Sequence, residues 1–131
     1  MSVTPEIPAE FADLLEIPVG TVTTIGANGY PQASAVWFLY EDGVVRTSLL
    51  ETNQKVKNAL ANPKGTYLFV DPASGYRTIE LRGDITIEPD EDVAFLTRQL
   101  VKYGMTPEEF GRGLEGRVIF TLTPHRVRTW G

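Results

Sequence analysis

The sequence predicts a mainly β, α+β domain in which six short strands form a small antiparallel barrel with short helices at its ends. Three observations carry this expectation. β-branched and aromatic runs recur at short intervals between residues 19 and 122. Asn28-Gly29 and Asp42-Gly43 divide the first of these runs, and such dipeptides supply the positive φ angles of tight hairpins. A long βαβ series is absent, which argues against a doubly wound nucleotide-binding fold. Gly111, Gly113 and Gly116 do have G-x-G-x-x-G spacing, but they follow a helical pattern rather than a strand, so the match carries no weight.

Taken in order, Phe11, Leu14 and Leu15 stand at i, i+3 and i+4 and predict a short amphipathic helix over 8–16, closed by Pro18. Three strands follow, at about 19–26, 32–40 and 44–49. Thr52 is the expected N-cap of the next helix, with Val56, Ala59 and Leu60 as its buried stripe and Asn62-Pro63 as its stop. The nearly continuous apolar run over 65–71 reads as a central strand. Ile79, Leu81, Ile85 and Ile87 then alternate with polar residues in the clearest period-two pattern of the chain, with Gly83 marking a bulge. Acidic residues over 89–92 open a helix whose apolar face is Val93, Leu96, Leu100 and Val101. Thr106 and Pro107 open another, short one. The last strand is 117–122, followed by a mixed tail.

At 131 residues the chain reads as a single domain, 1–131. Without cysteine, disulfides and thiolate chemistry are excluded. A net charge of -5 weighs against nucleic acid as a partner. One histidine and no HExxH-like spacing leave no expected metal site. The N-terminal stretch is acidic and lacks an apolar run, and no segment has the length of a membrane span; a cytoplasmic protein without membrane contact is expected.

The stretch 44–60 concentrates the functional signal. A strand ends in Thr47 and Ser48 and turns directly into a helix with Lys55 and Lys57 near its start. Backbone N–H groups at a helix start favour an anion and disfavour a cation, so a lysine there asks for a neutralising anion. Together these features describe a phosphate seat. Residues two apart on a helix point in different directions, so only one lysine faces such a ligand directly, and Lys55 is the better placed. Arg46 and Ser48 share one sheet face; Arg46 either joins the anion site or pairs with a carboxylate.

With these elements in order, the sequence resembles the split-barrel flavin and deazaflavin oxidoreductases related to pyridoxamine 5'-phosphate oxidase, especially the actinobacterial branch that uses coenzyme F(420). The residues that carry the resemblance are GTVTTIGANGYPQASAVWF (20–38), RTSLLETNQKVKNALANP (46–63), ELRGDITI (80–87) and RVIFTLTPHRVRTWG (117–131). It covers nearly the whole chain and implies a six-stranded split barrel in a homodimer, with the cofactor in a groove between two barrels. It further implies that Ser48, Lys55 and Lys57 serve the cofactor phosphate, that Thr47 belongs to the cofactor site, and that Val36, Trp37 and Phe38 line its ring. Tyr76 and Arg77 of the neighbouring subunit would close over the ring or tail. Several family members carry an arginine where Asn53 stands, so this chain has one positive contact fewer.

The activity implied is hydride transfer between F(420) and a small unsaturated substrate, with the proton from solvent or from a hydroxyl such as Tyr40 or Tyr76. No nucleophile–base pair is visible and no catalytic residue is assigned; in such chemistry the ring carries the hydride and the protein orients and shields it. Lys55, Lys57, Arg77 and Lys64 are candidate cations for the acidic tail of F(420). Two alternatives stand beside this reading. One is an FMN-dependent oxidoreductase on the same scaffold. The other is a non-catalytic protein that holds a cofactor or a haem-like ligand, for which His125 is the one available axial histidine. His125 otherwise reads as a surface or interface residue, and Trp130 as an anchor against a partner chain.

Overall fold

The computed structural model describes residues 5–131; Met1 to Thr4, the head of the acidic N-terminal stretch, lie outside them. Seven strands form one sheet, with every neighbouring pair antiparallel. They are β1 (Gly20–Ile25), β2 (Pro31–Val36), β3 (Leu39–Glu41), β4 (Val44–Leu50), β5 (Lys64–Val70), β6 (Thr78–Pro89) and β7 (Arg117–Trp130). Three helices accompany them: α1 (Gln54–Ala61), α2 (Ala94–Lys102) and α3 (Pro107–Phe110). A 3-10 helix over Ala9–Glu16 buries Phe11, Leu14 and Leu15 against the barrel, the three residues whose spacing singles them out in the sequence.

The strand order is β2-β1-β5-β6-β7-β4-β3. β2 and β3 therefore stand at opposite ends of the sheet although they are consecutive in the chain. Residues 32–40, expected as one strand, break at Trp37–Phe38, and this is the source of the seventh strand. Alternation runs unbroken through the segment because Val36 and Phe38 are both buried. What changes is the partner: Val36 pairs with Gly20, whereas Leu39 pairs with Arg46. Between them Phe38 drops its ring into the core, 4.7 Å from that of Phe69. Its backbone bonds to side chains at the C-terminal end of α2: Phe38 N–H donates to Oη of Tyr103, the residue that caps the helix, at 3.1 Å, and Phe38 C=O accepts from Lys102 Nζ at 3.1 Å.

The inward faces of β1, β4, β5, β6 and β7 supply the core, including Val22, Val45, Tyr67, Phe69, Leu81, Phe120 and Leu122. β7 is longer than expected, at fourteen residues. Pro124, His125 and Arg126 interrupt its apolar pattern but not its pairing with β6, which continues to Trp130. The register between the two strands shifts at Arg82/Gly83, opposite Pro124. A Cβ at Gly83 would lie 1.9 Å from Thr123 O, so this bulge admits glycine alone.

Helix boundaries and buried faces depart from expectation in four places. Asn53, not Thr52, caps α1: its Oδ1 accepts the Lys55 N–H at 3.1 Å. Val56 and Ala59 are buried, but Leu60 is 68% exposed; the buried polar residue Asn58 takes its place, donating to Thr24 Oγ1 and Gln32 Oε1. Asp90 opens the segment before α2 from a buried position, its carboxylate accepting Phe95 N–H and Leu96 N–H at 2.9 Å each. This brings negative charge to the helix start, in keeping with the dipole. The chain then passes through left-handed φ angles at Asp92 and Val93, so Val93 stands ahead of α2 rather than on its face. α2 buries Phe95, Leu96, Gln99 and Leu100, while Val101 faces out. Among the described residues no helix is long and apolar enough to cross a membrane.

Candidate functional site

β4 has one strand-covered edge and one that is only half covered. β7 pairs with it from Val45 to Leu50. On the other side β3 is three residues long and covers Val44 to Arg46. Beyond Arg46 that edge must find partners other than a strand, because buried backbone N–H and C=O groups rarely go unpaired. A cavity of about 580 Å³ opens there. Thr47, Ser48 and Leu49 line it from β4, and Ala35, Val36 and Trp37 from the end of β2.

Successive strand residues face opposite ways, and the two hydroxyls behave accordingly. Thr47 turns inward, and its Oγ1 lies 2.6 Å from Tyr67 Oη in the buried core. Burial pushes the Tyr67 phenol well above its ordinary pKa, so this pair is a neutral structural hydrogen bond. Ser48 turns toward α2, which also supplies Leu96 and Gln99 to the cavity. Ser48 N–H donates to Gln99 Oε1 at 3.0 Å, which satisfies the open strand edge with a side chain. Ser48 Oγ is buried and has no partner among the described residues. A buried hydroxyl without a partner costs about 1–3 kcal/mol, so a site that keeps one suits a ligand that supplies the missing bond.

Lys55 enters from the start of α1. Its ammonium is half buried, and desolvation lowers its pKa. Asn53 Oδ1, a neutral acceptor at 3.3 Å, is its one hydrogen-bond partner among the described residues. The same oxygen holds the Lys55 N–H, and Asn53 C=O accepts from Val56 and Lys57 N–H. The helix start therefore offers little free backbone N–H to an anion, and the side chain of Lys55 is what the helix brings to the expected seat beside Ser48.

Three polar residues that close the cavity escaped the sequence reading. Gln99 is one; its position three residues after Leu96 and one before Leu100 put a polar group on an apolar stripe, which was the available signal. The others are Arg112 and Arg117, which join Met105 and Phe110 along the rim. Arg112 lies within, and Arg117 directly after, a glycine-rich stretch that reads as a frayed helix end. Arg117 is half buried, which lowers its pKa; its Nε donates to Gly113 O at 2.8 Å and its guanidinium lies 5.2 Å from the Phe110 ring centre. Three cations thus surround an apolar pocket whose floor has an open hydroxyl.

The remaining expected residues divide. Trp37 lines the cavity and stacks on Tyr103 at 4.0 Å, 9° from parallel. Phe38 is fully buried in the core, so its ring does not line the pocket. Lys57 points to a different groove, beside Ile25 and Gly29, which the geometry of residues two apart on a helix requires. Tyr76 is exposed at the β5–β6 turn. Arg77 beside it donates to Asp71 Oδ2 at 3.0 Å and is paired with Asp13 as well, so its charge is already taken. Arg46 resolves toward the carboxylate, 3.0 Å from Glu41. Lys64 and His125 lie together on the outer face of the sheet, where His125 meets Asp84 at 3.1 Å.

The family model of pyridoxamine 5'-phosphate oxidase matches residues 7–131. No curated protein matches the chain. Among solved structures, an F(420) reductase is 30% identical, with a TM-score of 0.81 over 93% of this chain and 98% of that one. A conserved hypothetical protein from Mycobacterium tuberculosis is 23% identical, with a TM-score of 0.79 over 97% and 86% of the two chains. General Stress Protein 26 from Bacillus anthracis is 19% identical, with a TM-score of 0.70 over 92% and 91%. The last two share the fold, and the family match spans the barrel and the pocket alike. The chain belongs to the pyridoxamine 5'-phosphate oxidase-like split-barrel family.

Proposed function

We propose that the protein is an oxidoreductase that binds F(420) in the pocket at the open edge of β4 and acts on a small unsaturated substrate. One observation carries this reading: a half-buried lysine without a carboxylate partner stands at the rim of an apolar cavity whose floor holds an unpartnered hydroxyl. That donor set suits an anionic group attached to a flat, largely apolar ring. Lys55, with Arg112 and Arg117, would hold phosphate and acidic tail, and Ser48 would complete the seat. Val36 and Trp37 would wall the ring. The likeness to an F(420) reductase at 30% identity favours the deazaflavin over FMN.

When bound, F(420) supplies a hydride donor or acceptor. The chain's own residues then have three tasks: binding the anion, fixing the ring against the β2 wall, and keeping water from the reacting face. Trp37 is suited to the second, because its stack on Tyr103 holds it in place before any ligand arrives. Met105 and Phe110 are suited to the third. A second subunit completes the reading as a cytoplasmic homodimer. In support, Trp130 is 72% exposed and lies in register with Thr78, itself in register with the exposed Val70.

Titration of the purified protein with F(420) and with FMN, followed by fluorescence, tests the proposal. Tight binding of F(420) is the expected outcome; preferential binding of FMN would move the assignment to the flavin, and binding of neither would overturn it. A monomer by light scattering at micromolar concentration would contradict a site shared between subunits.

A further inference from the structure

Ser48 and Gln99 are both more than nine-tenths buried, at 6% and 3% exposure, yet the protein leaves part of each unused. The orientation of Gln99 is fixed by chemistry. A backbone N–H can only donate, so the amide atom 3.0 Å from Ser48 N is the oxygen. Nε2 is therefore the free end, and among the described residues it has no hydrogen-bond partner. Since Gln99 lines the cavity, that end offers donors and no acceptor. Ser48 Oγ, also unpartnered, can do either. Unlike Ser48 Oγ, Nε2 is not sealed from solvent, so it is open to the cavity rather than locked in the core.

We infer that Gln99 is a ligand-reading residue: its amide N–H, aimed by the bond to Ser48 N–H, donates to an acceptor atom of the bound cofactor next to Ser48. The identity of the ligand rests on the function proposed above. The acceptor is an oxygen or ring nitrogen, and two parts of a phosphorylated flavin-like molecule can supply it, the ring edge or the phosphate.

Gln99→Glu separates this role from a structural one. It keeps an oxygen for Ser48 N–H and removes the donor. At mildly alkaline pH its affinity for F(420) should fall about tenfold or more, and where the new carboxyl is protonated the thermal midpoint should return close to that of the parent protein. As pH falls and the new carboxyl takes up a proton, an O–H donor returns, and affinity should recover relative to the parent over the same range. Riboflavin and inorganic phosphate, used as separate probes, locate the acceptor: weakened riboflavin binding places it on the ring, and weakened competition by phosphate places it on the phosphate. Should the variant fail to fold, the side-chain amide 15N signal of Gln99 in the parent protein must shift on saturation with cofactor. Unchanged affinity in a folded Gln99→Glu, or an unmoved amide signal, overturns the inference and leaves the proposed function standing. A parent protein that binds neither F(420) nor FMN overturns both.

Discussion

Lys55, at the start of α1, and Arg77, just before β6, are both cations beside the start of an element, and the protein treats them in opposite ways. Arg77 is held by two aspartates and by the carbonyl of Glu10, which together tie the β5–β6 turn to the N-terminal 3-10 helix. Lys55 has a neutral amide oxygen for company, in a cavity that strips part of its water away. The first arrangement is closed and leaves nothing for a ligand. The second leaves a charge uncompensated, which a protein keeps where an outside anion is to be met. The contrast separates a basic residue that builds the fold from one that is available to bind.

The largest effect should come from the seam between these regions. Phe38 is fully buried at the point where the chain crosses from one end of the sheet to the other. Phe38→Ala should cost about 3–5 kcal/mol in a denaturant titration. A loss below 1 kcal/mol would mean that the crossing is held by the backbone bonds to α2 alone.

Lys55→Ala tests the open side of the contrast. Its expected cost is about 1–3 kcal/mol of F(420) affinity, the scale of a hydrogen bond to a charged group, with little change in stability. Unchanged affinity would remove Lys55 from the site.

Lys102 gives a smaller effect that pH reads out. Burial lowers its pKa to about 8, while its ammonium donates to Phe38 O and sits over the Phe38 ring. A lysine with a lowered folded pKa binds fewer protons than the unfolded chain, so it destabilises the fold while charged. Stability should therefore rise as pH climbs from about 8 towards the ordinary lysine range. Lys102→Met should lack this rise when the two proteins are unfolded side by side across that range.

Arg77→Ala should show the smallest change: a slight drop in thermal midpoint and no change in cofactor affinity within one subunit. It also carries a pH signature. Hydrogen bonding to Arg77 holds the Asp13 carboxyl below its ordinary pKa, and the Ala73 N–H together with Arg77 does the same for Asp71. Carboxylates lowered in the folded state add stability that is present above the ordinary aspartate range and lost as pH falls through their folded values. Below about pH 4 the parent protein should therefore lose stability more steeply than the variant. A fall in F(420) affinity on this substitution would instead show Arg77 reaching a site across a dimer.

Hairpin dipeptides, period-two runs and the bulge glycine made six strands legible, and the family resemblance named the split barrel. The missing strand was hidden because Ala35 to Tyr40 form one continuous apolar run, and such a run reports strand propensity, not which strand its backbone pairs with. β7 was cut short for the converse reason: Pro124 and His125 break the apolar pattern while the bulge at Gly83 accommodates the proline. At the pocket, strand-end hydroxyls and Lys55 stood out because type and spacing carry chemistry. Arg112 and Arg117 did not, since their place depends on how a glycine-rich segment folds back over the β4 edge.

The sequence by itself determined the mainly β character, the hairpin positions, the bulge at Gly83 and the divergence of Lys55 and Lys57 into different grooves, all consequences of local geometry. Tertiary structure alone decided that β3 stops three residues along β4 and that α2 lends Gln99 to the exposed edge. It also decided that Arg77 is neutralised by a helix far away in sequence. Those outcomes depend on which distant groups satisfy a buried N–H or an isolated charge, and no local pattern records the partner.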